Sequence, residues 1–489
     1  MQLTFAIKVG FLMSNQTTPK PKNFKKKVVR GGIFLTLRKL VASALSLVSI
    51  LVIARVLGPE QYGIVAIAAG TFYFFKWISH LGLGIYLVRQ TQVSEHQAED
   101  VLAFYTTVGF AFCGLIWLSA PIFGWWTGRE EVMLAFRCLP LAVWFDSLSS
   151  VSIAMMERDL RFDEVGLIET VSQVTNYLVA IPWVLVYASF WGPVAGIIVQ
   201  FLVQLCLARY RYPVRWRLRW RRQTLKPALR YGLTYSGSDL ILSLRALTIP
   251  MIVSRLAGIE AAGLIGISIR FAEQLAMLRI VIRRMAISVM SKLLDSHQQV
   301  RRTISEGMVY QVLLVSPVCA LFSCLSMWLV PLIFGERWIP SAQVFPLVAF
   351  SIIIATVFDL HVGTLYAAGK NRKVAQFNAV YIGVLWAGCV LLIPRLGIWG
   401  YGLAEVSSLP SYWLLHQFLS KLFGSPDYRP GIAFILATLP ALFLGVVLPI
   451  VPSLLLFFVC YGGLLVFYPR GREIVQKLWI TWQGRSSPV

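Results

Sequence analysis

Charge is scarce in this sequence. Only 14% of its 489 positions are Asp, Glu, Lys or Arg, against roughly a quarter in soluble domains. That excludes a soluble enzyme and a disordered tail protein. Histidine is rarer still, with five in the chain. The seven cysteines are Cys113, Cys138, Cys206, Cys319, Cys324, Cys389 and Cys460. Each sits inside an apolar run, without a CxxC pair or histidines at metal-ligand spacing. They read as packing residues, which excludes a secreted disulfide scaffold. No metal, cofactor or catalytic set is expected. A GxxxxGK[ST] loop is absent, so no ATP-binding engine is expected either. Long loops are missing too. The longest between apolar runs, Arg209–Arg230, is too short to house the catalytic domain of a membrane glycosyltransferase or polymerase.

What abounds is apolar length. Hydrophobic residues make up 57% of the chain and aromatics 13%, with a mean hydropathy of +0.70. A membrane-crossing helix takes about 20 apolar residues. Runs separated by Pro, Gly and charge predict fourteen helical spans. They lie near 33–56, 62–87, 101–125, 133–156, 165–187, 190–208, 231–254, 262–289, 307–333, 341–367, 374–393, 399–420, 430–449 and 452–468. The runs are continuous rather than alternating, so helices are expected and not a β-barrel. The fold class is an all-α polytopic membrane protein.

Lys and Arg number 45 against 22 Asp and Glu, a net charge of +23. In a soluble protein this would suggest nucleic acid. Here no nucleic-acid partner is expected, because the excess follows the positive-inside rule. With the N-terminus inside, one side receives Arg158, Arg161, the Arg209–Arg230 strip, Lys292, Arg301, Arg302, Lys370, Arg372, Lys373 and the tail from Arg470. The other receives Arg55, Arg129, Arg255, Arg337 and Arg395. Both termini are therefore expected in the cytoplasm and the chain in the inner membrane. Met1–Leu12 carries Lys8 and no small-residue cleavage site, so no signal peptide is expected, and a start at Met13 stays open beside Met1. The Arg209–Arg230 strip, with Arg and Trp alternating, reads as an amphipathic linker on anionic membrane lipid. A sharper reading makes it a binding site for an anionic lipid substrate.

The two sides of that linker repeat each other. IARVLGPEQYGIVAIA at 53–68 aligns with VSRLAGIEAAGLIGIS at 253–268. PIFG at 121–124 pairs with PLIFG at 331–335, Phe145-Asp146 with Phe358-Asp359, and Trp191-Gly192 with Trp399-Gly400. Two parallel six-helix repeats are expected, an N-lobe at 31–208 and a C-lobe at 231–421 around a central cavity. A basic leader at 1–30 precedes them, the linker at 209–230 divides them, and two additional helices and a tail occupy 422–489.

ARVLGPEQYG after the first span, MERDLRF at 156–162 and IFGERWIPSAQVF at 333–345 resemble motifs of Wzx-type polysaccharide flippases. These belong to the multidrug/oligosaccharidyl-lipid/polysaccharide (MOP) exporter superfamily. The resemblance runs from about residue 30 to 430, most of the chain. It implies a non-enzymatic transporter that moves undecaprenyl-pyrophosphate-linked oligosaccharide to the periplasmic leaflet for O-antigen, capsule or exopolysaccharide synthesis. It also implies polysaccharide polymerase and chain-length machinery as partners. A lipid II flippase of the same superfamily is the nearest alternative, and a glycosyltransferase the alternative of another class. A drug or cation antiporter would place carboxylates rather than bases in the cavity.

Charge inside a span costs roughly 2.5–3.5 kcal/mol on insertion scales. The deep or semi-deep set is Arg38, Lys39, Lys76, Asp146, Glu169, Asp239, Arg245, Arg270, Glu273, Asp359 and Glu405. Arg38, Lys39, Lys76, Arg245 and Arg270 are the candidates for a cavity that binds pyrophosphate, since guanidinium matches phosphate oxygens bidentately. Tyr73, Trp77, Tyr177, Tyr235 and Tyr381 are candidate sugar surface. The competing reading is internal ion pairing, such as Arg270 with Glu273. Asp146, Asp239, Glu273 and Asp359 are candidate coupling or salt-bridge carboxylates, and Asp146 and Asp359 alternatively cap helices. Arg279 and Arg283 are expected to snorkel to the interface. Arg55 is expected to pair with Glu60, and Arg255 with Glu260, at tight hairpins broken by Gly58 and Pro59.

Overall fold

The computed structural model describes residues 24–90, 94–159, 161–218, 221–277, 279, 290–291, 293–469 and 472. Among them every regular element is a helix. In order the helices are α1 Phe24–His80, α2 Leu83–Arg89, α3 Glu95–Thr127, α4 Glu130–Arg158, α5 Phe162–Tyr187, α6 Trp191–Arg211 and α7 Arg222–Ser243. There follow α8 Gly258–Leu275, α9 His297–Phe334, α10 Ile339–Ala367, α11 Asn371–Leu396, α12 Ile398–Ser407, α13 Tyr412–Phe423, α14 Arg429–Leu444 and α15 Ile450–Phe457. Eight stretches of described helix are long and apolar enough to cross a membrane, and Arg429–Leu444 is a shorter apolar helix. The basic leader before Phe24, Arg283 and the tail beyond Arg472 lie outside the described residues. So do the side chains of Arg38, Lys39, Tyr235 and Asp239.

Breaks fall where the residues demand them. Gly58 takes φ +68 inside α1, and Pro59 follows it as the first residue of the next helical segment. Only glycine enters that region without strain, and proline suits a helix start because it needs no N–H partner there. The repeat counterpart Gly258 also has positive φ, +88. Trp191 opens α6 and Gly400 lies in the first turn of α12. A Cβ on Gly192 would meet Val184 and the Ala180 carbonyl at 2.8 and 2.9 Å, and one on Gly400 would meet Ile393 backbone at 2.6 Å. Each Trp-Gly step thus folds a helix closely back on its predecessor.

The chain divides into two compact units. The first holds the described part of Met1–Val56, with Gly82–Leu115 and Cys138–Tyr231. In it α5 packs along α6, joined by Asn176 Nδ2 donating to Gln200 Oε1 at 2.8 Å. Trp144 Nε1 donates to the Tyr105 carbonyl at 3.2 Å and ties α4 to α3. The linker is not one continuous amphipathic helix: residues 213–217 are non-helical and helix resumes at Arg222. Arg217 and Arg221 reach the buried Glu99 and Asp100 of α3 at 3.5 and 3.4 Å. Arg209 stacks over Trp216 with 4.7 Å to the ring centre. Part of the basic strip is thereby committed to the protein itself. MERDLRF is clamped in the same unit: Arg161 donates twice to Glu164 at 2.7 Å, and Arg158 donates to the Gln90 carbonyl. The Arg161 fork holds the Glu164 carboxyl below its ordinary range.

The second unit holds Leu57–Leu81, Ile116–Arg137 and Gly232–Val489. Here α10 packs on α8 and α9, α9 on α14, and α11 on α12. Trp338 is almost fully buried and meets Tyr62 edge-on, centroids 5.5 Å apart. Burying such a ring contributes about 2–3 kcal/mol. Two of the three signature segments, ARVLGPEQYG and IFGERWIPSAQVF, therefore touch. Ser268 Oγ donates to the Ser341 carbonyl at 2.6 Å and extends the join.

Candidate functional site

The charges that matter lie in the second unit. After α7 the backbone tightens to a 3-10 turn, Leu244–Leu247, and then widens to a π turn, Thr248–Val253. Pro250 inside the wide turn has no N–H to give, and a π turn leaves carbonyls open to outside donors. Trp126 Nε1 takes the Met251 carbonyl at 2.8 Å, and Trp386 Nε1 takes Thr248 Oγ1 at 3.0 Å. Two indoles thus fix the turns next to Arg245.

Arg245 Nη2 donates to Glu405 Oε1 at 2.7 Å. The Glu405 side chain has no exposed surface, whereas that of Arg245 is 30% exposed. Glu405 Oε1 also accepts Tyr401 OH at 2.6 Å. Its Oε2 accepts Ser351 Oγ and Tyr381 OH, both at 3.0 Å. The Arg245 guanidinium carbon stands 5.7 Å from the Tyr381 ring centre. A guanidinium carries five N–H donors. With part of its surface open, Arg245 has donors to offer an anion.

Arg270, on α8, is half-buried. Its guanidinium carbon lies 5.8 Å from the ring centre of Tyr73, a cation–π arrangement on a half-exposed tyrosine. Glu273, one turn on, is exposed. Lys76 is half-buried on α1, and Trp77 beside it is 45% exposed. Helix α8 ends at Leu275 with turns at 276–277, so the expected 262–289 span is described only over its first part.

Several sequence expectations change. Glu60 bonds to Arg129, not Arg55 alone, and Arg255 lies over Trp126 and donates to its carbonyl. Arg129 and Trp126 both come from the segment around the α3–α4 turn rather than from the hairpins themselves. Arg279 does not snorkel: its Nε is 3.2 Å from Asp359 Oδ2, and its side chain is 22% exposed. Asp146 and Asp359 are no helix caps, since each is buried well inside its helix, α4 and α10. Gln204 Nε2 donates to Asp146 Oδ1 at 3.1 Å and to Ser149 Oγ at 2.7 Å. Asp146 thus has an amide donor, and Asp359 has a guanidinium as its ion-pair partner. Tyr177 accepts from Gln173 on its own helix.

The centre is Glu405, which the sequence reading placed among the deep charges but gave no role. It is a lone carboxylate in an apolar run, with Tyr401 one helical turn before it on the same face. Both were visible signals that a buried acceptor awaited donors.

The family described as "Polysaccharide biosynthesis protein" matches residues 52–343. The chain is 22% identical over 385 residues to the lipopolysaccharide biosynthesis protein WzxC of Escherichia coli (strain K12), covering 75% of this chain and 77% of that one. It is 24% identical over 446 residues to the succinoglycan biosynthesis transport protein ExoT of Rhizobium meliloti (strain 1021), covering 86% and 87%. Among solved structures, the lipid II flippase MurJ in an inward closed conformation aligns with a TM-score of 0.73 at 11% identity, over 91% of this chain and 100% of that one. An inward-facing multidrug resistance MATE family transporter of the MOP superfamily aligns at 0.61 and 13% identity, over 79% and 98%. At such identities these likenesses carry the fold alone.

Proposed function

Because this chain belongs to the polysaccharide biosynthesis protein family, we propose that it flips polyprenyl-pyrophosphate-linked oligosaccharide across the inner membrane for surface polysaccharide assembly. It is a transporter and not an enzyme. The family match over residues 52–343 carries this reading. Relatives named for lipopolysaccharide biosynthesis and for succinoglycan biosynthesis transport support it over most of the chain.

In this reading fourteen spans form two parallel six-helix lobes, 31–208 and 231–421, with both termini in the cytoplasm and two further helices after them. The lobes alternate access to a cavity between them. Arg245 and Arg270, with Lys76, Arg38 and Lys39, bind the pyrophosphate, and exposed aromatics such as Tyr73 and Trp77 face the sugars. Arg suits the role because its planar fork matches two phosphate oxygens at once. A polymerase and chain-length machinery receive the product. The lipid II reading has the same fold behind it, but the family match and the named relatives favour the polysaccharide substrate.

Deleting the gene tests the reaction class. Surface polysaccharide should disappear while its lipid-linked repeat unit still forms and accumulates in the inner leaflet. Loss of the repeat unit itself would indicate an enzyme of its synthesis and overturn the proposal. Arrest of peptidoglycan with unchanged surface polysaccharide would indicate lipid II.

A further inference from the structure

We infer that Glu405 is a positioning residue for substrate, the group that fixes Arg245 as an anion receptor; this rests on the pyrophosphate reading of Arg245 given above. The argument begins with acceptor arithmetic. A carboxylate offers about four lone-pair positions. In Glu405 all four are filled, by Arg245 and Tyr401 on Oε1 and by Ser351 and Tyr381 on Oε2. The donors come from four separate segments: the 3-10 turn after α7, α10, α11 and α12 itself. The carboxylate is therefore held rigidly from every side, and it has no acceptor position left for a proton.

Rigidity passes to Arg245. One of its terminal nitrogens is bound to a fixed point, its backbone is braced by Trp386 and Trp126 through the π turn, and its plane lies beside Tyr381. A free arginine side chain gives up rotamer entropy when it is pinned by a ligand. Here that ordering is already done, and the guanidinium keeps its exposed portion for an incoming anion. Preorganisation of this kind raises affinity without any new contact. It also fixes direction: a planar donor set in one orientation selects two oxygens held together, as on a diphosphate, over a single diffuse charge.

The simpler role for Glu405 is to neutralise a buried base and nothing more. The two roles separate in the folded protein. Purified full-length protein in nanodiscs is titrated with undecaprenyl pyrophosphate and, separately, with undecaprenyl monophosphate. Glu405→Gln keeps the shape of the side chain but removes the carboxylate charge, so the hydrogen bond that holds Arg245 loses its charge assistance. Affinity for the pyrophosphate should fall about tenfold or more, and the preference over monophosphate should narrow. Ser351→Ala removes one distant donor and leaves the Arg245 contact in place, so it should bind within about twofold of the parent. Should Glu405→Gln fail to fold, Tyr401→Phe, which strips a second donor from the oxygen that Arg245 uses, should still weaken pyrophosphate binding more than Ser351→Ala does. If Arg245→Ala loses binding while the folded Glu405→Gln and Tyr401→Phe variants keep it, Glu405 has no positioning role. If Arg245→Ala itself binds normally, both this inference and the pyrophosphate reading of Arg245 are overturned.

Discussion

Gly63 lies directly against the backbone carbonyl of Ile259: a Cβ at Gly63 would fall 2.0 Å from that oxygen. Two hundred residues on, a Cβ at Gly263 would fall 2.0 Å from the carbonyl of Pro59. Under the repeat offset, Gly63 corresponds to Gly263 and Pro59 to Ile259. The contact is therefore reciprocal. Ala66 stands opposite Gly266 within the same interface, where a Cβ on the glycine would come to 2.9 Å.

Gly63→Ala and Gly263→Ala should each disfavour this arrangement by about 1–3 kcal/mol, since the opposing group is backbone and yields only by separation of the helices. The double variant should cost clearly less than the sum, because one separation relieves both clashes. Cross-linking between cysteines placed on either side of the interface would measure this. Strict additivity would mean that the two contacts open independently.

Arg270 faces Tyr73 rather than a carboxylate partner at bonding distance. Arg270→Lys should impair transport, since charge is kept but the bidentate fork is lost. Arg270→Ala should abolish transport with membrane abundance unchanged. Restoration of transport by adding Glu273→Ala would assign Arg270 to internal ion pairing and leave the substrate role without support.

Arg279 and Asp359 form a largely buried pair. Arg279→Ala should destabilise the protein by about 3–5 kcal/mol, because it strands Asp359 in the interior. Arg279→Ala with Asp359→Ala should recover most of that loss. Fluorescence-detected chromatography after heating reads both variants. Full abundance of the single variant would show that Asp359 finds another donor.

Topology follows from the distribution of Lys and Arg. A reporter inserted after Trp216, in the non-helical part of the linker, should report the cytoplasm, and one inserted between Gly128 and Glu131 the periplasm. Labelling of the linker from outside would invert the assignment and remove the basis for inward-to-outward transport.

Local signals were legible in the sequence. Gly58-Pro59 announces a break, and a break occurs with positive φ, because steric limits on a single residue decide it. The segments at 53–68 and 253–268, which align in the sequence, touch in the structure. Partner choice was not legible. Beside the Arg55–Glu60 proximity that the sequence offers, Glu60 takes Arg129 from the loop between α3 and α4. Arg279 looked close enough to an interface to snorkel, but Asp359 of α10 meets it at 3.2 Å. Besides Tyr401 one turn before it, Glu405 gathers donors from positions 245, 351 and 381, and no periodicity relates those three to it. Secondary structure depends on neighbours in the chain, whereas buried ion pairs depend on packing.

The reciprocal glycine contact is of the kind that two identical subunits make across a two-fold axis, where residue i meets j and j meets i. A dimer of half-length chains would satisfy it equally well, but such a dimer must carry every residue twice. Here Gly70, whose added Cβ would stand 2.5 Å from the Ala246 carbonyl, corresponds to Arg270, and Tyr73 corresponds to Glu273. Encoding both copies in one chain lets the interlocking surface stay symmetric while the residues a turn or two away diverge. One copy can keep a tightly packed glycine at the position where the other carries a cation.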